Sequence, residues 1–189
     1  SSNNYHYSDG ATGFENYYSL FSIGDGVNCY LINSTLANNT ADMTVPTSAA
    51  IQTGYYCNLN VINSIIYNNE VDYAINDLNT FDGYGVKVNN SLIENGDAGI
   101  NSILPFIYDY ETNLDCDPIF SGDEDHPGSL NEYSPCIDAG DPSDAGGGID
   151  IDGESRPFGA SVDIGADEFT DVDADHMAGT VSAFLKSAV

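Results

Sequence analysis

A group of acidic residues in the second half of the chain has the chemistry of a divalent cation site. Asp150, Asp152 and Glu154 alternate along one segment, Asp144 lies a few residues before them, and three consecutive glycines stand in between. Ca2+ prefers carboxylate oxygens, and glycine lets backbone carbonyls approach a cation closely. The segment therefore predicts a calcium site. The alternative is that these acids hold turns and that one of them pairs with Arg156, the only arginine.

Three further acids near the C-terminus have the spacing of a calcium-binding loop. Asp171, Asp173 and Asp175 match its first, third and fifth positions. The sixth position, normally Gly, is His176, and the twelfth, normally Glu or Asp, is Ser182. Because two positions depart from the pattern, three alternatives stay open for this tail. It is a dockerin-like remnant, a cloning remnant, or an amphipathic segment that caps the exposed end of the fold.

The acids of the first half are candidates for sugar chemistry, but they do not define a site. Glycoside hydrolysis needs two carboxylates that face each other across a groove. No spacing selects a pair among the candidates, which are Asp72, Asp77, Asp82, Glu94 and Asp97. A lyase must neutralise a uronate and abstract a proton, and Lys87 is the only basic residue among the repeated segments. The sequence therefore assigns no catalytic residue.

Tyrosine is the most abundant aromatic residue, with 13 copies against 8 Phe and no Trp. Two adjacent pairs are candidates for a sugar-stacking platform, namely Tyr17 with Tyr18 and Tyr55 with Tyr56. Because side chains alternate faces along a strand, we expect one ring of each pair to point outward. Exposed rings suit contact with sugars and contact with proteins equally well.

The chain has four cysteines, none of them in a C-x-x-C pair. No histidine stands at zinc-finger spacing from them, which argues against a structural zinc site. Cys116 and Cys136 are predicted to form a disulfide that closes a short loop. Cys29 and Cys57 fall in neighbouring repeats, where they are either bridged or buried as thiols.

The charge is strongly negative, with 30 acids against three Lys and Arg and a formal net charge of −27. A chain of this charge does not bind nucleic acid, whose phosphates need a basic surface, and anionic membrane surfaces are disfavoured too. Calcium binding and plain solubility are the alternatives for so many carboxylates. No apolar run approaches the ~20 residues of a membrane span. Because the polar N-terminus carries no signal peptide, we expect a mature or truncated chain without its first repeats.

Three segments of the first half repeat one another at offsets of 30 and 27 residues. Self-similarity at such a period is typical of a solenoid, in which each repeat stacks on the last. Aligned, the segments form two apolar columns, which are Leu31, Val61, Val88 and Leu36, Ile66, Ile93. A serine column is formed by Ser34, Ser64 and Ser91. Two amide columns, predicted to be structural, are Asn33, Asn63, Asn90 and Asn38, Asn68, Asn95.

The repeats predict strands rather than helices. They are rich in Val, Ile, Tyr and Asn, without helical periodicity. The two apolar columns have opposite parity, so both face inward only if the chain bends between them. The Asn-Ser pair provides that bend, because Asn tolerates left-handed backbone angles. Stacked Asn side chains are expected to bond along the axis, and Asn33, Asn63 and Asn90 to be buried. Residues 70–87, which contain Asp82-Gly83, predict a side loop.

Four motifs of the second half occur in a recognisable order. They are Asp117-Pro118-Ile119-Phe120, Ser134-Pro135-Cys136-Ile137-Asp138-Ala139-Gly140, Asp150-Ile151-Asp152-Gly153-Glu154-Ser155-Arg156-Pro157 and Val162-Asp163-Ile164-Gly165-Ala166-Asp167-Glu168-Phe169. Together with the Asn-Ser repeats, this series resembles the C-terminal part of bacterial secreted and surface β-helix proteins of the choice-of-anchor Q domain type. The resemblance implies a right-handed parallel β-helix, export, and a role at the cell surface or in the medium.

The sequence thus predicts an all-β chain, a right-handed parallel β-helix (a solenoid) with an irregular acidic C-terminal region. We expect β-helix coils over residues 1–108, an acidic terminal region of the same domain over 109–170, and an acidic, helical tail over 171–189. The leading function is non-catalytic binding of a polysaccharide or a cell-surface protein outside the cell, with Ca2+ as the expected cofactor. The alternatives are the end of a polysaccharide lyase or glycoside hydrolase, and a stalk or filament subunit that self-associates through open coil ends.

Overall fold

The computed structural model describes residues 19–39, 48–123, 126–145 and 148–170. The described chain is all-β, apart from one 3-10 turn at Gly96–Gly99 and one helical turn, α1, at Pro142–Ala145. The strands of the repeated half are β1 Ser19–Ile23, β2 Asn28–Ile32, β3 Thr35–Ala37, β4 Ala49–Thr53, β5 Asn58–Ile62, β6 Ile65–Tyr67, β7 Tyr73–Asp77, β8 Gly85–Asn89, β9 Leu92–Ile93, β10 Ile100–Ser102 and β11 Ile107–Tyr108. Two short strands follow, β12 Gly148–Ile149 and β13 Ser155–Arg156.

The strands of the repeated half form three parallel sheets. Sheet A has the order β1-β4-β7-β10, sheet B the order β11-β8-β5-β2, and sheet C the order β3-β6-β9. Every neighbour in a sheet comes from the adjacent repeat, and the register follows the sequence offsets. Tyr30 lies opposite Asn60, and Asn60 opposite Lys87. This stacking of parallel strands is consistent with a parallel β-helix-like fold.

The bend between sheets B and C lies at the Asn-Ser pair, as the sequence predicts. Asn33, Asn63 and Asn90 have φ angles of 46°, 47° and 47°, in the left-handed region. A second bend follows sheet C, where the other amide column is also left-handed, with φ angles of 57° for Asn38 and 49° for Asn68. Asparagine is the non-glycine residue that adopts this conformation at low cost. Each repeat therefore turns twice at an asparagine.

The interior of the repeats is apolar, and both predicted columns lie in it. Val61, Val88, Ile66 and Ile93 are fully buried in one core cluster, and Leu31 packs against them. Burial of one such side chain contributes about 1.5–3 kcal/mol. Because the chain bends between the two columns, residues of opposite parity both face the interior.

The serine column forms a hydrogen-bonded ladder along the stack. The Oγ of Ser64 accepts from the Ser34 N–H (3.1 Å), and the Oγ of Ser91 accepts from the Ser64 N–H (3.1 Å). Asn113 takes the serine position in the next repeat, where its Oδ1 accepts from the Ser91 N–H at 2.9 Å. The ladder satisfies buried backbone donors that the bend takes out of the sheets.

The amide columns differ from the prediction. Asn63 is buried, but Asn33 and Asn90 are only half-buried, so the expected burial of all three is wrong. Asn63 does not bond along the stack either, because its amide exchanges two hydrogen bonds with the backbone of Asp141. In the second column Asn68 Nδ2 does donate to the Oδ1 of its stack neighbour Asn38, at 2.8 Å, although both are exposed.

The predicted side loop is shorter than residues 70–87. That range contains all of β7 and the start of β8, and only residues 70–72 and 78–84 lie outside the strands. The polar strand β7 was mistaken for loop because Asn76 and Asp77 occupy buried strand positions. Cross-strand hydrogen bonds satisfy them, from Asn76 Nδ2 to Gln52 Oε1 and from Thr53 Oγ1 to Asp77 Oδ1.

The acidic region folds back over the outer face of sheet C. Ile65 and Leu92, which point outward from that sheet, form a second core with Leu130, Cys136 and Ile164. Backbone bonds complete the contact, among them the Gly165 N–H to the Asn63 carbonyl at 2.8 Å. The face of sheet C that points away from the interior of the repeats is therefore buried under residues from the C-terminal region.

The predicted Cys116–Cys136 disulfide is not formed. All four cysteines are free thiols, with Cys136 fully buried in the second core and Cys116 exposed at the surface. One sulfur thus faces apolar side chains while the other faces solvent. Burial raises the pKa of the Cys136 thiol to about 12. Cys57 is also buried as a thiol, and its Sγ donates to the Gly24 carbonyl at 2.9 Å.

Candidate functional site

Three exposed rings form a cluster at one corner between sheets A and B, which we call the aromatic corner: Tyr56, Phe81 and Tyr84. Tyr56 stacks on Phe81, with centroids 4.4 Å apart and planes 18° apart, and meets Tyr84 edge-on at 5.5 Å. The residues remain 43%, 45% and 38% exposed, respectively. Stacked and edge-on pairs of this geometry are mutually attractive. The corner is thus an ordered aromatic surface open to solvent.

The backbone of Tyr56 is left-handed, with a φ of 59°. The equivalent positions in the repeats before and after it are Gly26 and Gly83, with φ angles of 74° and 92°. A left-handed conformation costs a bulky residue about 1–2 kcal/mol, whereas glycine adopts it freely. Tyrosine therefore stands where the architecture prefers glycine, and such a strained residue is a typical feature of a functional site.

The turn that carries Tyr56 is fixed from the preceding repeat. The Tyr55 N–H donates to Asp25 Oδ1 at 2.8 Å, and the Gly54 N–H donates to the Ile23 carbonyl at 2.8 Å. A Cβ on Gly54 would lie 2.4 Å from that same Asp25 oxygen, so any larger residue here would displace the carboxylate from its bond to Tyr55. These contacts hold the turn at residues 54–57 in one position.

The loop that carries Phe81 and Tyr84 is fixed by Asn79, which is fully buried. Its Oδ1 accepts from the Cys57 N–H, and its Nδ2 donates to the Cys57 carbonyl, both at 3.1 Å. The same Nδ2 also donates to Asp77 Oδ1 at 2.6 Å. One amide therefore connects the loop at residues 78–84 to the turn of the neighbouring repeat and brings the three rings together.

One of the two predicted tyrosine pairs lies at the aromatic corner, and its role as a sugar-stacking platform stays a prediction. Tyr56 is exposed and lies in the corner, while Tyr55 is half-buried beside it. The two lie in a turn rather than a strand, so their different exposure does not come from strand alternation. Phe81 and Tyr84 were missed, because they come from an irregular loop; their one sequence signal is that two aromatics flank Asp82-Gly83. Tyr17 and Tyr18 lie outside the described residues.

Three of the predicted calcium ligands, Asp150, Asp152 and Glu154, occupy one turn, and both oxygens of Asp150 face backbone donors. Asp150 Oδ1 accepts from the N–H groups of Asp152 (3.0 Å) and Glu154 (2.8 Å), and Oδ2 accepts from the Glu168 N–H at 3.0 Å. Glu154 Oε1 accepts from the Thr170 hydroxyl at 2.9 Å. Within the described ranges no group of three or more His, Cys, Asp or Glu converges as a metal site. The turn-holding alternative explains these contacts, and calcium binding stays a prediction.

Asp171, Asp173 and Asp175 lie outside the described residues, and so does the side chain of Asp144, whose backbone belongs to α1.

Arg156 is an internal clamp, as predicted, but its partner is not one of the proposed calcium ligands. The buried guanidinium forms an ion pair with the buried Glu168, at 2.8 Å between Nε and Oε2. Its Nη2 also donates to the carbonyls of Gly165 (3.0 Å) and Asp167 (2.7 Å). This arrangement fixes the last described loop against the rest of the acidic region.

Asp163 is a second buried carboxylate beside this ion pair. It accepts from the N–H groups of Asp138 (2.6 Å) and Phe169 (2.7 Å). Burial raises the pKa of Asp163 to about 6, with smaller upward contributions from the charges of Glu168 and Asp138. Its role is structural, because the side chain is fully buried and both oxygens face backbone donors.

Four of the five acids proposed for sugar chemistry in the repeats bond within the scaffold, and the fifth, Asp82, is exposed in the loop at residues 78–84. Asp72 bonds to Ser48, Glu94 accepts from the Asn68 N–H, and Asp97 accepts from the Tyr110 hydroxyl. Asp77 is buried beneath the corner, where Ser102 Oγ also donates to it at 2.9 Å. These contacts give the bonded acids a structural role, and a catalytic pair stays unassigned.

No protein-family model matches the chain, and the comparisons find no significant match among curated proteins or solved structures. The resemblance to choice-of-anchor Q domain proteins therefore stays a prediction. No helix among the described residues has the length and apolar character needed to cross a membrane.

Proposed function

We propose that this chain is a right-handed parallel β-helix module of a secreted or cell-surface protein and that it binds glycans, without catalysis, through the aromatic corner. The observation that carries the proposal is Tyr56, which keeps an exposed, stacked ring on a backbone conformation where both neighbouring repeats have glycine. The strong preference of parallel strand connections for the right hand supports the right-handed form.

The shape and chemistry of the corner favour a sugar. Flat rings offer apolar faces to the C–H groups of a pyranose, and tyrosine hydroxyls offer hydrogen bonds at their edges. The rings are already ordered by Asn79 and by each other, so a ligand does not bear the entropy cost of ordering them. Four of the five candidate acids, Asp72, Asp77, Glu94 and Asp97, are bonded within the protein, which supports binding rather than hydrolysis.

Affinity gel electrophoresis with soluble neutral polysaccharides tests this proposal. The net charge of −27 drives the free protein rapidly through a native gel, so binding to a polymer in the gel appears as retardation. We expect at least one neutral polymer to retard the wild-type protein and the Phe81→Ala variant to migrate freely. Tyr133→Ala is the matched control, because it removes another exposed ring, 75% exposed, from the acidic region. Equal retardation of all three proteins would contradict a role of the corner.

A further inference from the structure

The outer face of sheet B is an open surface that begins at the aromatic corner. Side chains alternate along its strands, and the inward ones, such as Leu59, Val61 and Val88, lie in the core. The outward residues of the central positions form one row across four strands: Tyr30, Asn60, Lys87 and Ile107. With strands about 4.8 Å apart, this row is about 14 Å long. Tyr30 and Ile107 at its ends are exposed.

The charge of this face differs from that of the whole chain. The four strands of sheet B contain no Asp or Glu, although the chain has 30 acids. Lys87 is exposed in the middle of the row, and no carboxylate of the described residues forms an ion pair with it. The other cation in the described part, Arg156, is buried in its ion pair. Lys87 is therefore the one charged residue within the strands of this face.

The row and the corner are continuous along the strands. Tyr84 directly precedes Gly85, the first residue of β8, and Lys87 lies two residues further, about 6.6 Å along the strand. Tyr56 precedes Asn58, the first residue of β5, by two positions. One extended ligand can thus contact the rings and the ammonium group together.

We propose that the outer face of sheet B extends the aromatic corner into a binding surface for a glycan that carries isolated carboxylates, with Lys87 as the charge partner of one uronate. This inference rests on the proposed function, because the corner provides the stacking contact. The lysine charge selects for a carboxylate near the stacked sugar. The −27 net charge of the chain selects against a polymer that is charged at every sugar, because the surrounding acids repel it.

Three polymers separate the effect of the Lys87 charge from the effect of the net charge. They are a glucuronoxylan with sparse uronate groups, the same polymer after reduction of its carboxylates to alcohols, and polygalacturonate. The wild-type protein is expected to bind the glucuronoxylan about threefold to fivefold more tightly than the reduced polymer at low salt, which is the range of an exposed ion pair. Polygalacturonate is expected to bind most weakly. Lys87→Gln should bind the first two polymers equally, and Lys87→Arg should keep the preference.

The inference would be overturned if Lys87→Gln still bound glucuronoxylan more tightly than the reduced polymer. It would also be overturned if the wild-type protein bound these two polymers equally. In that case the corner is tested separately, because loss of binding to the reduced polymer in Phe81→Ala would still support the proposed function. Absence of wild-type binding to all three polymers would overturn the inference, and the neutral-polymer gels would then decide the proposed function.

Discussion

The ring of Tyr56 stacks on the ring of Phe81 at 4.4 Å between centroids, although the two residues belong to successive repeats. The stack exists because Asn79 connects their two backbone segments and because Tyr56 accepts a left-handed φ of 59°. A fold that only needed a turn at this place would have glycine there, as it does at Gly26 and Gly83. The aromatic corner thus retains a feature that costs stability, which is typical of binding surfaces.

Replacement of Tyr56 by glycine is expected to abolish glycan binding without destabilising the fold. Relief of the left-handed strain, about 1–2 kcal/mol, offsets the lost ring contacts of about 0.5–1.5 kcal/mol. Urea unfolding should give a free energy of unfolding within about 1 kcal/mol of wild type. A Tyr56→Ala variant keeps the strain and should be the less stable of the two. The strain argument fails if glycine proves less stable than alanine.

Asn63 is expected to contribute to stability through its contacts with Asp141 rather than through its backbone angle. Glycine keeps the left-handed angle, so Asn63→Gly removes only the side-chain bonds to the Asp141 N–H and carbonyl, at 2.8 and 2.9 Å. We expect a loss of about 1–3 kcal/mol in the free energy of unfolding. Asn90→Gly is the matched control, with the same φ of 47° and a half-buried side chain, and should change little. Equal effects of the two variants would show that the Asp141 contacts add nothing.

Removal of the Arg156 charge is expected to destabilise the acidic region strongly. Arg156→Met leaves Glu168 buried without its cation, and breaking a buried ion pair in this way costs about 3–5 kcal/mol. The double variant Arg156→Met with Glu168→Gln should recover part of that loss, because the charge of Glu168 that Arg156 neutralised is removed as well. Thermal melts of the two variants measure the difference, with Lys87→Met as the exposed control. A double variant less stable than the single one would argue against an uncompensated charge as the cause.

Stability is expected to fall between about pH 4 and pH 6 through the titration of Asp163. Its pKa in the folded protein is about 6, against 3.8 for the unpaired group, so the folded state keeps a proton that the unfolded state has lost in this window. Stability falls with rising pH wherever the folded state binds more protons, here by on the order of 2–3 kcal/mol. The carboxylates of Glu168 and Asp138 and the Cys136 thiol face this group, and Arg156 neutralises Glu168.

Urea titrations at several pH values, on wild type and on Asp163→Asn, measure this contribution. The variant should be less stable overall, because one backbone N–H loses its acceptor, but its pH profile over this window should be flatter. Parallel profiles for the two proteins would assign the pH dependence to other groups.

Much of the repeated half follows from the sequence alone. The offsets of 30 and 27 residues, the two apolar columns and the Asn bends were all predicted, because each depends on residues that are close in the chain and recur in register. The clamp role of Arg156 was also predictable, since a single guanidinium among many acids has few other uses. These features need only local chemistry and a period.

The tertiary structure alone decided the features that depend on which surfaces meet. Asn63 reaches Asp141 across 78 residues, and the acidic region buries the outer face of sheet C, which no spacing indicates. The aromatic corner joins a turn and a loop from different repeats, so adjacency in sequence identified only Tyr56. Likewise, the spacing of Asp150 and Glu154 predicted ligands for a cation, whereas the fold turned the Asp150 oxygens toward backbone N–H groups. Long-range packing sets the direction of a side chain, and the local sequence does not.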